Sequence, residues 1–284
     1  MGYFTGIGER SVTLAASPSI VLAFGPFDPS GADGLPADAV TCGALGCHGL
    51  SVLSGILVQD STGPESAQAL SPELIDDQAR SLLEDMPVQA FKAGAVYTPE
   101  AASVIAQIAA DYSETPLVLH LGAGLLPTED AAEADADEAL HEAILELLLP
   151  QAHITVVEHH LLTRWLDEGL LPRGDSDADD PAQILIDNGA QWVLTLGQPA
   201  PQGGLINLLL GPSRQTASWP CMPAQPRTHD TAGLTATALA AYVARGNDMR
   251  DATEQALRYA RQALEHSFQP GMGLRMPRRF AAEV

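Results

Sequence analysis

The chain has 284 residues, with 14 Lys plus Arg against 36 Asp plus Glu, for a formal charge of −22 at neutral pH. That acidic excess speaks against a nucleic-acid or anionic-membrane partner, and 46% hydrophobic residues can build a substantial core, which excludes disorder as the main state. Cys42, Cys47 and Cys221 lack both zinc-site spacing and the density of a disulfide framework, no apolar run reaches the roughly 18 residues of a membrane span, and MGYFTGIGER is not signal-like, so a cytoplasmic protein is expected.

After a loosely packed N-terminal extension over 1–18, SIVLAF (19–24) reads as a strand that breaks into the loop GPFDPSGADG. Leu35 to Cys47 suits a helix, GLSVLSGILV (49–58) a strand, and SPELIDDQARSLLEDM (71–86) a helix capped by its serine. QAFKAGAV (89–96) is strand-like, PEAASVIAQIAADY helical, PLVLHL (116–121) a strand, and ADADEALHEAILELLLP (134–150) a helix stopped by Pro150. HITVVE (153–158) is the next strand, and a helix over 181–188 leads into the strand QWVLTLG (191–197). GLINLLLG (204–211) and SRQTASW (213–219), joined by a Gly-Pro turn, form an antiparallel hairpin, and helices over 231–245 and 250–266 follow. The alternation predicts an α/β fold in one domain, residues 1–284, with a mainly parallel sheet covered on both faces and an antiparallel addition near the C-terminal end. The acidic stretches at 128–138 and 173–182 each precede a predicted helix and read as solvated helix starts, and the near absence of lysine, Lys92 alone, as a water-holding surface.

Ligands of open parallel sheets bind beyond the carboxyl ends of the strands. The first loop there, Gly25 to Gly34, is either a plain turn or a binding loop in which backbone N–H groups approach a ligand and Asp28 and the nearby Asp38 accept hydrogen bonds from it. Gln59, at the end of the second strand, carries an amide donor and acceptor suited to an aminopyrimidine edge, or is a solvated strand end. Neither a P-loop nor a G-x-G-x-x-G fingerprint occurs. His159 and His160, neighbours about 100° apart on a helix, cannot grip one ion without other ligands, and no metal site is predicted.

GPFDPSGADGLPADAVTCGALGCHGLSVLSGILVQDSTG (25–63), Lys92-Ala93-Gly94, THDTAGLTATALAAYVARG (228–246) and PGMGLRMPRRF resemble, in order and spacing, the motifs of the hydroxymethylpyrimidine and phosphomethylpyrimidine kinases of thiamine biosynthesis, members of the ribokinase-like superfamily. The resemblance implies a ribokinase-like fold, a homodimer, Mg-ATP as phosphoryl donor and a small aminopyrimidine as acceptor. It implies a pyrimidine pocket including Gly25, Asp28, Asp38 and Gln59, with Ala95 where the family usually has a larger residue over the ring.

The phosphoryl-transfer motifs depart from the family. Its H-G-[TS]-G-C, an anion hole at a helix start followed by the base, reads His229-Asp230-Thr231-Ala232-Gly233, which puts Gly233, without a side chain, at the base position; His229 and Asp230 are the possible substitutes. In the register of the wider D-T-x-G pattern, Ala236 stands where the base Asp belongs. The Asp230 carboxylate would also bring negative charge to the helix end where phosphate should lie. The family's N-x-x-E becomes Glu158-His159-His160-Leu161, its K-G-G becomes Leu196-Gly197-Gln198, and its D-P-V becomes His120-Leu121-Gly122. Thr231, Ala232, Gly233, Glu158 and Gly197 would therefore line an altered nucleotide side. Because phosphoryl transfer depends on positioning and charge stabilisation, the expectation is a kinase-like protein with weakened or lost phosphotransfer, or a non-catalytic aminopyrimidine-binding or regulatory paralogue.

Overall fold

The computed structural model describes residues 17–122, 131–171, 180–221, 228 and 231–280. Residues 1–16 of the expected N-terminal extension, and His229 and Asp230, lie outside them. The elements in chain order are β1 (Ile20–Phe27), α1 (Gly34–Ala44), β2 (His48–Gln59), β3 (Pro64–Ala69), α2 (Pro72–Asp85), β4 (Ala90–Ala93), α3 (Pro99–Asp111), β5 (Leu117–Leu121), α4 (Ala131–Ala143), β6 (Ile154–Glu158), α5 (His159–Asp167), α6 (Pro181–Asp187), β7 (Val193–Pro199), β8 (Leu205–Leu210), β9 (Thr216–Cys221), α7 (Thr231–Ala244) and α8 (Met249–Glu265).

These strands form one nine-stranded sheet in the order β3-β2-β1-β4-β5-β6-β7-β8-β9. From β2 to β7 every neighbouring pair is parallel, and β3, β8 and β9 are antiparallel. Side chains alternate between two cores, as the two-residue period of a strand requires. Leu22, Phe24, Phe91, Leu117 and Leu119 enter the core shared with α2, α3, α5 and α6, while Val21, Ala90, Val118 and Ile154 enter the one under α7 and α8. Helix α7 is buried almost all round because its sequence, TAGLTATALAAYVA, is short-chained on every face, and it packs on β4, β5 and β6 with α1 and α8 beside it. A small-residue helix approaches a sheet closely, so residues near its N-terminus can meet groups at the strand ends.

Several elements differ from the sequence reading. Helix α1 stops at Ala44 rather than reaching Cys47, since Gly46 takes a positive φ of 74° and turns the chain into β2. Strand β3, PESAQA, has largely exposed side chains and no apolar alternation, so its hydrogen bonding to β2 defines it and the sheet has antiparallel strands at both edges. Helix α4 passes into a π turn at Ile144–Leu148 and a 3-10 turn at Leu149–Gln151, with Pro150 inside the latter. Among the described residues no helix is long and apolar enough to cross a membrane.

Candidate functional site

The loop after β1 is built by one carboxylate. Asp28 is fully buried; its Oδ1 accepts from the Ser30 N–H at 2.8 Å, and its Oδ2 accepts from Ser30 Oγ at 2.9 Å, the Asp33 N–H at 2.9 Å and Gln59 Nε2 at 3.0 Å. Asp33 then caps α1 by accepting from the Gly34 N–H at 2.5 Å. Gly34 has φ 62°, and a Cβ there would run into the carbonyl oxygen of Pro26, so only glycine closes this turn.

Beyond the carboxyl ends of the parallel strands lies a cavity of ≈350 Å³. Pro26 lines it from β1, Leu57 and Gln59 from β2, Lys92, Gly94, Ala95 and Tyr97 from β4 and the chain after it, His120 to Gly122 from β5, Glu158 from β6, and Thr231 and Ala232 from α7. This is where an open α/β sheet binds ligands. Gln59 gives one amide hydrogen to Asp28 and keeps its carbonyl oxygen and second N–H for other partners. The Ala95 carbonyl accepts from Ser54 Oγ at 2.8 Å, which fixes the backbone beside the methyl group. The Tyr97 phenol stays protonated, because burial and the Asp33 and Asp28 carboxylates all raise its pKa.

Lys92 is almost wholly buried, with Nζ 2.8 Å from Asp38 Oδ2. Thr237 Oγ1 donates to the other oxygen of Asp38 at 2.5 Å. His120 stands near this pair: burial first, and the Lys92 ammonium second, lower its pKa to about 4 against the opposing pull of Asp33 and Asp38, so the imidazole is neutral at neutral pH. At the far side, Thr231 Oγ1 donates to Glu158 Oε1. His160 Nδ1 lies 3.3 Å from Glu158 Oε2 at the exposed rim.

The expected site residues therefore separate into two groups. Gln59, Ala95, Thr231, Ala232 and Glu158 share one cavity, whereas Gly25, Asp28, Asp38, Gly233 and Gly197 stand behind or beside its wall. Gly25 pairs with Leu53 inside the sheet. Asp28 organises the loop through Ser30, Asp33 and Gln59, and the Asp38 oxygens meet Lys92 and Thr237. Gly233 is buried in α7, with its carbonyl oxygen 2.9 Å from Thr237 Oγ1, whose hydrogen goes to Asp38. Gly197, with φ 73°, donates its N–H to Asn207 Oδ1 at 3.1 Å. His229 and Asp230, the possible substitute bases, lie outside the described residues.

Sequence reasoning did not place Tyr97 in the site, and it named Lys92 and His120 only within the motifs Lys92-Ala93-Gly94 and His120-Leu121-Gly122, without a role for either side chain. For Lys92 and His120 the available signal was position, since one is the chain's single lysine, in a buried strand, and the other sits where β5 ends. Among the described residues, no group of three or more His, Cys, Asp or Glu could hold a metal ion.

The family described as phosphomethylpyrimidine kinase matches residues 28–277. A hydroxymethylpyrimidine/phosphomethylpyrimidine kinase of Streptomyces coelicolor is 30% identical over 269 residues, 92% of this chain and 94% of that protein. The crystal structure of phosphomethylpyrimidine kinase from Clostridium difficile 630 has a TM-score of 0.69 at 21% identity and covers 86% of this chain and 99% of its own. The ADP complex of Bacillus subtilis pyridoxal kinase has a TM-score of 0.77 at 19% identity, covering 93% and 98%. At such identities the two structures establish the ribokinase-like fold alone. With the family match spanning most of the chain and the Streptomyces coelicolor relative 30% identical over 92% of it, this chain belongs to the phosphomethylpyrimidine kinase family.

Proposed function

We propose that this chain is an aminopyrimidine-binding member of the family in which ATP phosphotransfer is weakened or lost. The observation that carries this reading is the hydrogen bond between Thr231 Oγ1 and Glu158 at the start of α7. A helix N-terminus attracts anions through its unpaired N–H groups, and here a carboxylate already stands beside that end, where a phosphoryl group would meet like charge. Gly233 lends no side chain to take a proton. Gln198, at the family's lysine-bearing turn, brings no cation, and its Oε1 is buried without a hydrogen-bond partner among the described residues. Among the described lining residues the charged groups are Asp33, Lys92 and Glu158, and Lys92 is already paired with Asp38, a donor set that speaks against Mg-ATP.

The ring half supports binding. Gln59 can pair with an aminopyrimidine edge, Ala95 leaves room above it, and Tyr97 adds a protonated phenol. A homodimer in the cytoplasm completes the proposal by family resemblance, with Cys42, Cys47 and Cys221 as free thiols; sedimentation velocity measures the dimer.

Calorimetry with hydroxymethylpyrimidine and, separately, with Mg-ATP tests the function. The expected result is pyrimidine binding without ATP binding, with Gln59→Ala weakening the former by ~1–3 kcal/mol, the value of a buried hydrogen bond. ATP binding followed by turnover would instead make the chain a working kinase, the reading the family match favours, and overturn this one.

A further inference from the structure

The charges around the cavity bear on which pyrimidine it accepts. Lys92 is the chain's single lysine, and its ammonium is held 2.8 Å from Asp38 with both side chains nearly inaccessible. Its charge is therefore answered inside the protein, which leaves little for an incoming anion. The other formal charges on the described lining are the carboxylates of Asp33 and Glu158. A phosphate ester entering here would meet two negative groups in a partly desolvated space, whereas an alcohol would meet none of its own sign.

One lining group is suited to a hydroxyl. His120 projects from the end of β5 into the cavity and makes no hydrogen bond among the described residues. The chain passes close to its ring: a Cβ on Gly122 would approach the imidazole to 3.2 Å, so glycine suits that position. The groups facing it are Lys92 from β4 and Asp33 and Asp38 at and within α1, and burial together with the ammonium keeps the ring neutral. A neutral imidazole has one nitrogen that donates and one that accepts, the complement of an alcohol O–H.

We propose that the cavity selects the unphosphorylated hydroxymethyl form of an aminopyrimidine over its phosphate monoester, with His120 as the residue that holds the hydroxyl and Glu158 as the group that disfavours the phosphate. The inference rests on the aminopyrimidine-binding reading above and adds the ligand's charge state and two residues that determine it.

The test is calorimetry at fixed ionic strength with three ligands: the hydroxymethyl-aminopyrimidine, its phosphate monoester, and the analogue with methyl in place of hydroxymethyl. For the unmodified protein, the alcohol should bind at least ~10-fold more tightly than either of the others. In His120→Phe the alcohol and the methyl analogue should bind alike, because the group that distinguishes them is gone. Glu158→Gln should raise affinity for the ester by ~10-fold or more. An ester that binds the unmodified protein as well as the alcohol overturns the selection. A His120→Phe variant that still separates alcohol from methyl analogue overturns the role of His120. Failure of all three ligands to bind folded protein instead overturns the aminopyrimidine reading itself, and the inference with it.

Discussion

Lys92 and Asp38 form a charged pair with side chains 2% and 4% exposed, and Thr237 completes the carboxylate's hydrogen bonding. Two opposite charges can remain so deep only while both are present, since removing either leaves its partner desolvated and unanswered. Lys92→Met is expected to destabilise the protein by ~3–5 kcal/mol, with Lys92→Met combined with Asp38→Asn recovering part of the loss; chemical denaturation of the three proteins measures both. His120 carries a different signature. Its pKa falls from an ordinary 6.5 to about 4 on folding, so between those values the unfolded chain binds more protons than the folded one and stability drops as pH falls. Melting temperatures recorded from pH 7 to pH 4 should decline across this window, and His120→Asn should make the decline shallower. Asp33, Asp38 and Lys92 are all near this histidine, so the slope of the variant relative to the parent, and not the absolute curve, isolates it. Lys92 was visible in the sequence as the only lysine, but its partner was not, because Asp38 lies 54 residues away and only the packing of α1 against the sheet brings the two together.

At the level of elements, the turn between β1 and α1 decides how the cavity is walled. Asp28 gathers the N–H groups of Ser30 and Asp33 and reaches across to Gln59 at the end of β2, so one carboxylate couples two strand ends. Gly34 permits the close return of the chain over Pro26. Gly34→Ala would combine an unfavourable left-handed backbone with a clash against a carbonyl oxygen, and a loss of ~2 kcal/mol or more is expected by thermal or denaturant unfolding. The glycine-rich loop was legible as a turn from its composition. That Asp28 accepts hydrogen bonds from its own turn and from Gln59 was not, because an aspartate in such a loop serves equally well as an internal acceptor or an external one. Strand β3 was missed for a related reason: its mostly exposed residues carry no hydrophobic period, and its hydrogen bonds to β2 are a property of two segments together. Helix α1 was extended too far because Leu45 and Cys47 suit a helix chemically, while Gly46 ended it.

Across the whole molecule, 36 acidic residues against 14 basic ones create a self-repelling surface whose cost depends on salt. Raising sodium chloride from ~10 mM to ~0.5 M shortens the Debye length several-fold, and the melting temperature is expected to rise with it. A flat or falling curve would show that repulsion is not a significant term in this fold. The sequence alone determined the α/β alternation, the C-terminal hairpin and the family, since these rest on local periodicity and on motifs read in order along the chain. It also marked Gly233 and Gln198 as altered positions, because the absence of a base or a cation is a matter of residue identity. Tertiary structure decided which groups face the cavity: Asp38 turned away to Lys92, Glu158 reached Thr231, and His120 came forward beside both walls. Those assignments depend on close packing and charge pairing among segments distant in sequence, and a one-dimensional pattern does not carry the direction in which a side chain points.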